Sequence, residues 1–138
     1  MATFNKFNQF VEDLGLGVHN LSTGSLRVYL SNTAPSASLD LVKADLAEIS
    51  GGNGYTALGE LIGGSWTESG GTGTKTGTDI VWTASGAVGP FQYAVLYNDT
   101  PTSPADPLIG WWDYGAPISL ANGETFTVDF GASVFTIA

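Results

Sequence analysis

From Trp66 to the C-terminus the chain is a succession of short strand-patterned runs and turns. The runs "IVWTA", "FQYAVLYND", "LIGWWDYG", "PISLANGETFTVDF" and "SVFTI" are separated by turn-forming stretches such as "SGAVGP" and "TPTSPADP". Connections this short join antiparallel strands, whereas parallel ones need a crossover of a dozen residues or more. With 138 residues there is room for one domain, residues 1–138, with a sizeable core and no need of staples. The expected fold is therefore mainly β: a single antiparallel β-sandwich, jelly-roll-like, with a short N-terminal helix.

Period-2 alternation assigns the core. "SLRVYLSNT" sets Leu26, Val28 and Leu30 against Arg27, Tyr29 and Ser31. Extended to the later strands, the same rule predicts a core of Leu26, Val28, Leu30, Val81, Ala94, Leu96, Phe126, Val128 and Phe135. Asn122-Gly123 between two strand-patterned runs predicts a hairpin with a type I′ turn. The Gly/Thr stretch "ESGGTGTKTGTD" reads as an exposed edge or a mobile loop, and "GGNGYTALGELIGGSW" as a long glycine-rich loop. Leu39, Val42, Leu46 and Ile49 allow a second short helix or an irregular segment.

At the other end, Phe4, Phe7, Val11 and Leu14 predict one apolar stripe of a helix, with Thr3 as its N-cap and Gly15 and Gly17 as its stop. Residues 1–17 then form a helical arm, which either docks on its own core or reaches a neighbouring subunit. The opening "MATFNKFNQF" lacks the charged and apolar regions of a secretory signal, so folding in the cytosol is expected.

Chemistry-bearing patterns are sparse. One histidine, His19, and no cysteine leave too few ligands for a zinc site, and a lone polar histidine near a helix end reads as a cap or surface residue. No G-x-S-x-G nucleophile turn is present, and no phosphate-binding glycine motif. Glu68, Asp79, Asp99, Asp106, Asp113 and Glu124 fall in loops or near strand ends, with nothing to pair two of them across a cleft. "NDTPTSPAD" lacks the spacing of a calcium loop. No catalytic, cofactor-binding or metal-ligating residue is expected. Four basic residues against thirteen acids, a net charge of −9, disfavour nucleic acid and anionic membrane as partners. Charged residues are only 12% of the chain, about half the usual share, which suits a surface that meets other proteins.

The aromatic run at 111–114 carries the functional expectation. Neighbouring side chains on a strand point to opposite faces, so Trp111 and Trp112 cannot both enter one core. Strict alternation groups Ile109 with Trp111, and Gly110 with Trp112 and Tyr114. The outward ring is either capped internally, an interface anchor or a sugar-stacking platform. With Phe4 and Phe7 from the N-terminal segment, Trp111, Trp112 and Tyr114 are the candidate partner-interface residues.

"MATFNKFNQFVEDLGLGVHNL", "LSNTAP", "GGNGYT", "GPFQYAVLYNDT", "DPLIGWWDYG" and "LANGETFTVDF" together resemble a family of small tailed-bacteriophage virion structural proteins, over nearly the whole chain and in consistent order. The resemblance implies a non-enzymatic protein that decorates or cements the capsid, with tail or neck as the other setting. The implied partners are the major capsid protein and further copies of the chain. The implied location is the outer surface of the head, after synthesis in the host cytoplasm. The rival expectation is a carbohydrate-binding or adhesin module of a tail or fibre, stacking sugars on Trp112 and Tyr114.

Overall fold

The computed structural model describes residues 2–138. Its elements are β1 (Phe4–Lys6), α1 (Asn8–Gly15), β2 (Leu26–Ser31), a 3-10 turn (Lys43–Asp45), β3 (Glu60–Leu61), β4 (Trp66–Ser69), β5 (Thr72–Lys75), β6 (Ile80–Thr83), β7 (Val88–Asn98), β8 (Leu108–Leu120), β9 (Thr125–Val128) and β10 (Phe135–Ile137). The fold is mainly β, all strand pairs are antiparallel, and one short helix lies near the N-terminus. A five-stranded sheet runs β1-β8-β7-β2-β3; a three-stranded sheet β10-β5-β4 and a two-stranded sheet β6-β9 complete it.

The main core lies between these sheets in a sandwich-like arrangement. Leu26, Val28 and Leu30 of β2, with Ala94 and Leu96 of β7, meet Ile80 and Trp82 of β6, Val128 of β9 and Phe135 of β10. β7 is buried on both faces from Ala94 to Asn98. A second cluster on the other side of the large sheet holds Phe7, Tyr29, Leu46, Val95, Tyr97 and Leu108. The segment around the 3-10 turn covers this face. Tyr29 donates to the Leu46 carbonyl at 2.9 Å and Tyr97 to the Leu58 carbonyl at 2.6 Å. Glu48 ties the segment together, accepting from Lys43 Nζ at 2.8 Å, Tyr55 at 2.6 Å and the Leu58 N–H at 2.7 Å. Tyr29, which alternation places on the polar face of β2, is consequently buried.

Several expectations are corrected. The stripe Phe4–Phe7–Val11–Leu14 does not form, because Phe4 lies in β1, paired with Trp112 of β8. The extended backbone persists to Phe7, whose N–H donates to the Ile109 carbonyl at 3.1 Å, so the helix starts only at Asn8. Its N-cap is Phe7 and not Thr3, and no side chain caps it. Phe10 and Asp13 are the buried positions of α1, and Val11 is exposed. In β6 the phase is inverted: Ile80 and Trp82 face the core and Val81 is 57% exposed. Residues 39–49 form a 3-10 turn and irregular chain, with Leu46 buried and Leu39 exposed. The Gly/Thr stretch supplies β5, which is the central strand of its sheet, paired with both β4 and β10.

Asn122-Gly123 makes a turn but no hairpin. The Glu124 N–H donates to the Ala121 carbonyl at 3.0 Å, and Gly123 sits at φ +87 while Asn122 stays out of the left-handed region. A type I′ turn needs positive φ at both central residues. The flanking strands go to different sheets, β8 to β7 and β9 to β6, so the turn carries the chain from one layer to the other.

Candidate functional site

The run 108–114 departs from strict alternation by one residue. Leu96 pairs with Gly110 but Tyr97 pairs with Leu108, so Ile109 is an extra residue on β8, a β-bulge. The slip sends Ile109 to the main core beside Trp112, and not to the face of Trp111. Gly110, Trp112 and Tyr114 do share the main-core side. Gly110 is small for a reason: a Cβ there would overlap the Phe4 ring.

Each aromatic candidate then has a distinct environment. Trp112 is 5% exposed, its ring edge-on to Phe4 at 5.3 Å and tilted against Phe130 at 5.6 Å. Phe4 is partly buried and stacks on Phe135 at 5.2 Å, which stitches the N-terminal strand to the C-terminal one. Phe7 is fully buried, with its ring 4.6 Å from that of Trp111. Trp111 keeps part of its surface in solvent. Tyr114 is partly buried against Phe126, with ring centroids 4.9 Å apart. Burial, then the charge of Asp129, pushes its phenol up to about 12. Trp111, Tyr114 and Phe4 therefore retain surface for a partner, while Phe7 and Trp112 are committed to packing.

Two shallow grooves flank Tyr114. One, of 260 Å³, is lined by Ala2, Trp112, Tyr114, Thr127 and Asp129. The other, of 420 Å³, is lined by Ala2, Asp113, Tyr114 and Gly115. Asp113 is held below the usual carboxylate range by hydrogen bonds from Gln92 and from the Gly115 N–H. It is an acceptor already engaged at 3.0 and 2.8 Å, not a free base.

Of the acids singled out in the sequence, the fold couples Asp99 to Asp106. Burial and a hydrogen bond to Asp99 raise the Asp106 carboxyl. Arg27 Nε lies 2.9 Å from Asp99, so the pair belongs to an ion-paired loop anchor. Among the described residues no group of three or more His, Asp or Glu side chains could hold a metal, and no helix is long and apolar enough to cross a membrane.

Sequence reasoning missed two features. His19 is no surface residue: it is 7% exposed and its Nδ1 lies 3.1 Å from Nδ2 of Asn98. Its partner is 79 residues away, so no local pattern signals it. The other is a set of exposed aliphatic side chains on α1 and the loop beside it. The Asn8 N–H donates to the Ala37 carbonyl at 2.9 Å, and from these adjoining segments Val11, Leu16, Leu39 and Leu41 project into solvent. Leu16 and Leu39 are 70% and 77% exposed.

Comparison with protein-family models, with curated proteins and with solved structures finds no match to this chain.

Proposed function

We propose that this chain is a non-enzymatic structural protein of a tailed-bacteriophage virion, and that it decorates or cements the outer surface of the assembled head. The observation that carries the proposal is the aliphatic set Val11, Leu16, Leu39 and Leu41, exposed on adjoining segments. Isolated surface leucines are ordinary, but four large aliphatic side chains left in solvent on two segments that meet at Asn8 and Ala37 suit a surface that contacts protein. The partly exposed Trp111 and the Tyr114 grooves add aromatic area of the kind that anchors interfaces. The resemblance of the sequence to small virion proteins supplies the setting. A net charge of −9 favours the outside of the shell, away from packaged DNA. A sugar platform built on Trp112 and Tyr114 is disfavoured, since Trp112 turns its ring to the core.

The test is co-sedimentation of the purified protein with emptied heads of the phage that encodes it. The wild-type chain is expected to pellet with heads. The double variant Leu16→Asp/Leu39→Asp is expected to keep its melting midpoint, because both positions are exposed, and to lose binding. Failure of the wild-type chain to bind heads, or retention on a glycan array instead, would overturn the proposal.

A further inference from the structure

A cluster of buried polar side chains sits where the N-terminal segment meets the end of β7. His19, Asp13 and Asn98 are all at least nine-tenths buried. The Thr100 N–H donates to Asn98 Oδ1 at 3.1 Å, which turns the Asn98 amide nitrogen toward His19 Nδ1 at 3.1 Å. Asn98 is therefore the donor and Nδ1 the acceptor, so the neutral imidazole carries its proton on Nε2. That Nε2–H is buried without a partner, and so is Oδ2 of Asp13, whose other oxygen accepts from Gln9 at 3.1 Å. The ring also packs edge-on against Phe10 at 5.2 Å.

We propose that His19 is an acid-sensitive latch, fastening the segment between α1 and β2 to the end of β7 in its neutral form and releasing it on protonation. A second proton can go only to Nδ1, where it would meet the N–H of Asn98 donor to donor. Rotating the Asn98 amide does not help, because its nitrogen would then face the Thr100 N–H. One of the two Asn98 bonds, to His19 or to Thr100, is lost either way, and a cation is left in a buried site. The charged group facing the ring is Asp13 of α1, which favours the cation; burial outweighs it and holds the imidazole below its ordinary value. Asn98 and Phe10 are neutral, and Asp99, next along β7, is turned to Arg27. Val18, whose N–H donates to the Asp13 carbonyl at 2.9 Å, and Thr100 on Asn98 report on the closed state.

His19 is the chain's single histidine, so its imidazole resonances are unambiguous. The experiment is an NMR titration of the ring nitrogens between pH 8 and 4, with amide exchange of Val18 and Thr100 followed over the same range. Expected are a neutral Nε2–H tautomer, a midpoint below 6.5, and opening at both amides that rises up to about tenfold per pH unit below 6.5, after correction for intrinsic exchange. His19→Gln, neutral at every pH, is expected to abolish the rise. A midpoint at or above 6.5, an Nδ1–H tautomer, or an equal rise in His19→Gln would overturn the latch. Should His19→Gln fail to fold, the wild-type titration decides alone.

Discussion

Replacing each of the adjacent tryptophans by alanine separates two packing environments that sequence places side by side. Trp112 is 5% exposed and lies against Phe4 and Phe130 in the main core, where the cavity left by truncation would be walled by Phe130 and by a Phe4 ring already stacked on Phe135. Removing a buried tryptophan of this kind costs about 3–5 kcal/mol. Trp111 is partly in solvent and its aromatic contact is Phe7. An aromatic pair contributes about 0.5–1.5 kcal/mol beyond the area it buries, so Trp111→Ala is expected to cost about 1–2 kcal/mol. For a chain of 138 residues, 1 kcal/mol moves the midpoint by roughly 3–5 °C. Trp112→Ala should thus melt roughly 9–25 °C below wild type and Trp111→Ala roughly 3–10 °C below. Thermal unfolding followed by circular dichroism, with capsid binding measured below the transition, reads both effects. If Trp111→Ala proves the more destabilising, the assignment of the two rings to their clusters fails.

Gly110→Ala places a methyl group against the Phe4 ring and is expected to cost about 1–3 kcal/mol by loosening β1, seen as faster exchange at the Phe7 N–H. Gly123→Val forces a β-branched residue to φ +87 in open space, so strain alone should lower stability by about 1 kcal/mol or more in denaturant unfolding. Glu48→Gln removes the charge that accepts from Lys43, Tyr55 and Leu58, and about 2 kcal/mol should be lost, with Tyr55 and Tyr29 becoming easier to titrate. Because His19 binds its proton less readily folded than unfolded, its contribution is complete above pH 6.5 and is lost as pH falls below that value, by up to about 1.4 kcal/mol per unit. In His19→Gln this component of the pH–stability curve should vanish.

Period 2 is a sufficient guide to which side chains enter the main core, though not to the burial of the opposite face, where Tyr29 and Ser31 are also covered. Leu26, Val28, Leu30, Ala94, Leu96, Val128 and Phe135 are buried as alternation predicts. It fails where three apolar residues run together. Ile80, Val81 and Trp82 fit either phase, and only pairing with β9 selects the one that buries the tryptophan. The N-terminal stripe has the same ambiguity, since Phe7, Phe10 and Leu14 satisfy helical spacing as well as the set containing Val11. Phe4 is decided by a strand a hundred residues away. Of the aromatic candidates, the division of Trp111 from Trp112 was legible because it needs only period 2. The displacement of Ile109 was not, because a bulge is a property of two paired strands. The exposed aliphatics of α1 and its neighbouring loop were illegible for a third reason: the segments that carry them are brought together by a tertiary hydrogen bond between Asn8 and Ala37.

The bulge at Ile109 also makes β8 a place where residues are counted. Upstream of it the strand runs in one phase and downstream in the other, so the two tryptophans are seated by the length of the chain as much as by its chemistry. Deleting Ile109 would not shorten a loop. It would bring Leu108 next to Gly110, so that Leu108 stays opposite Tyr97 and Gly110 opposite Leu96 in an unbroken ladder, and what is lost is the buried Ile109 side chain in the main core. All seven paired rows from Tyr97 to Val88 are kept. The bulge is therefore expected to be dispensable to the pairing, while a deletion within 111–113 removes a paired residue, slips the aromatic run past β7 and should be tolerated far less.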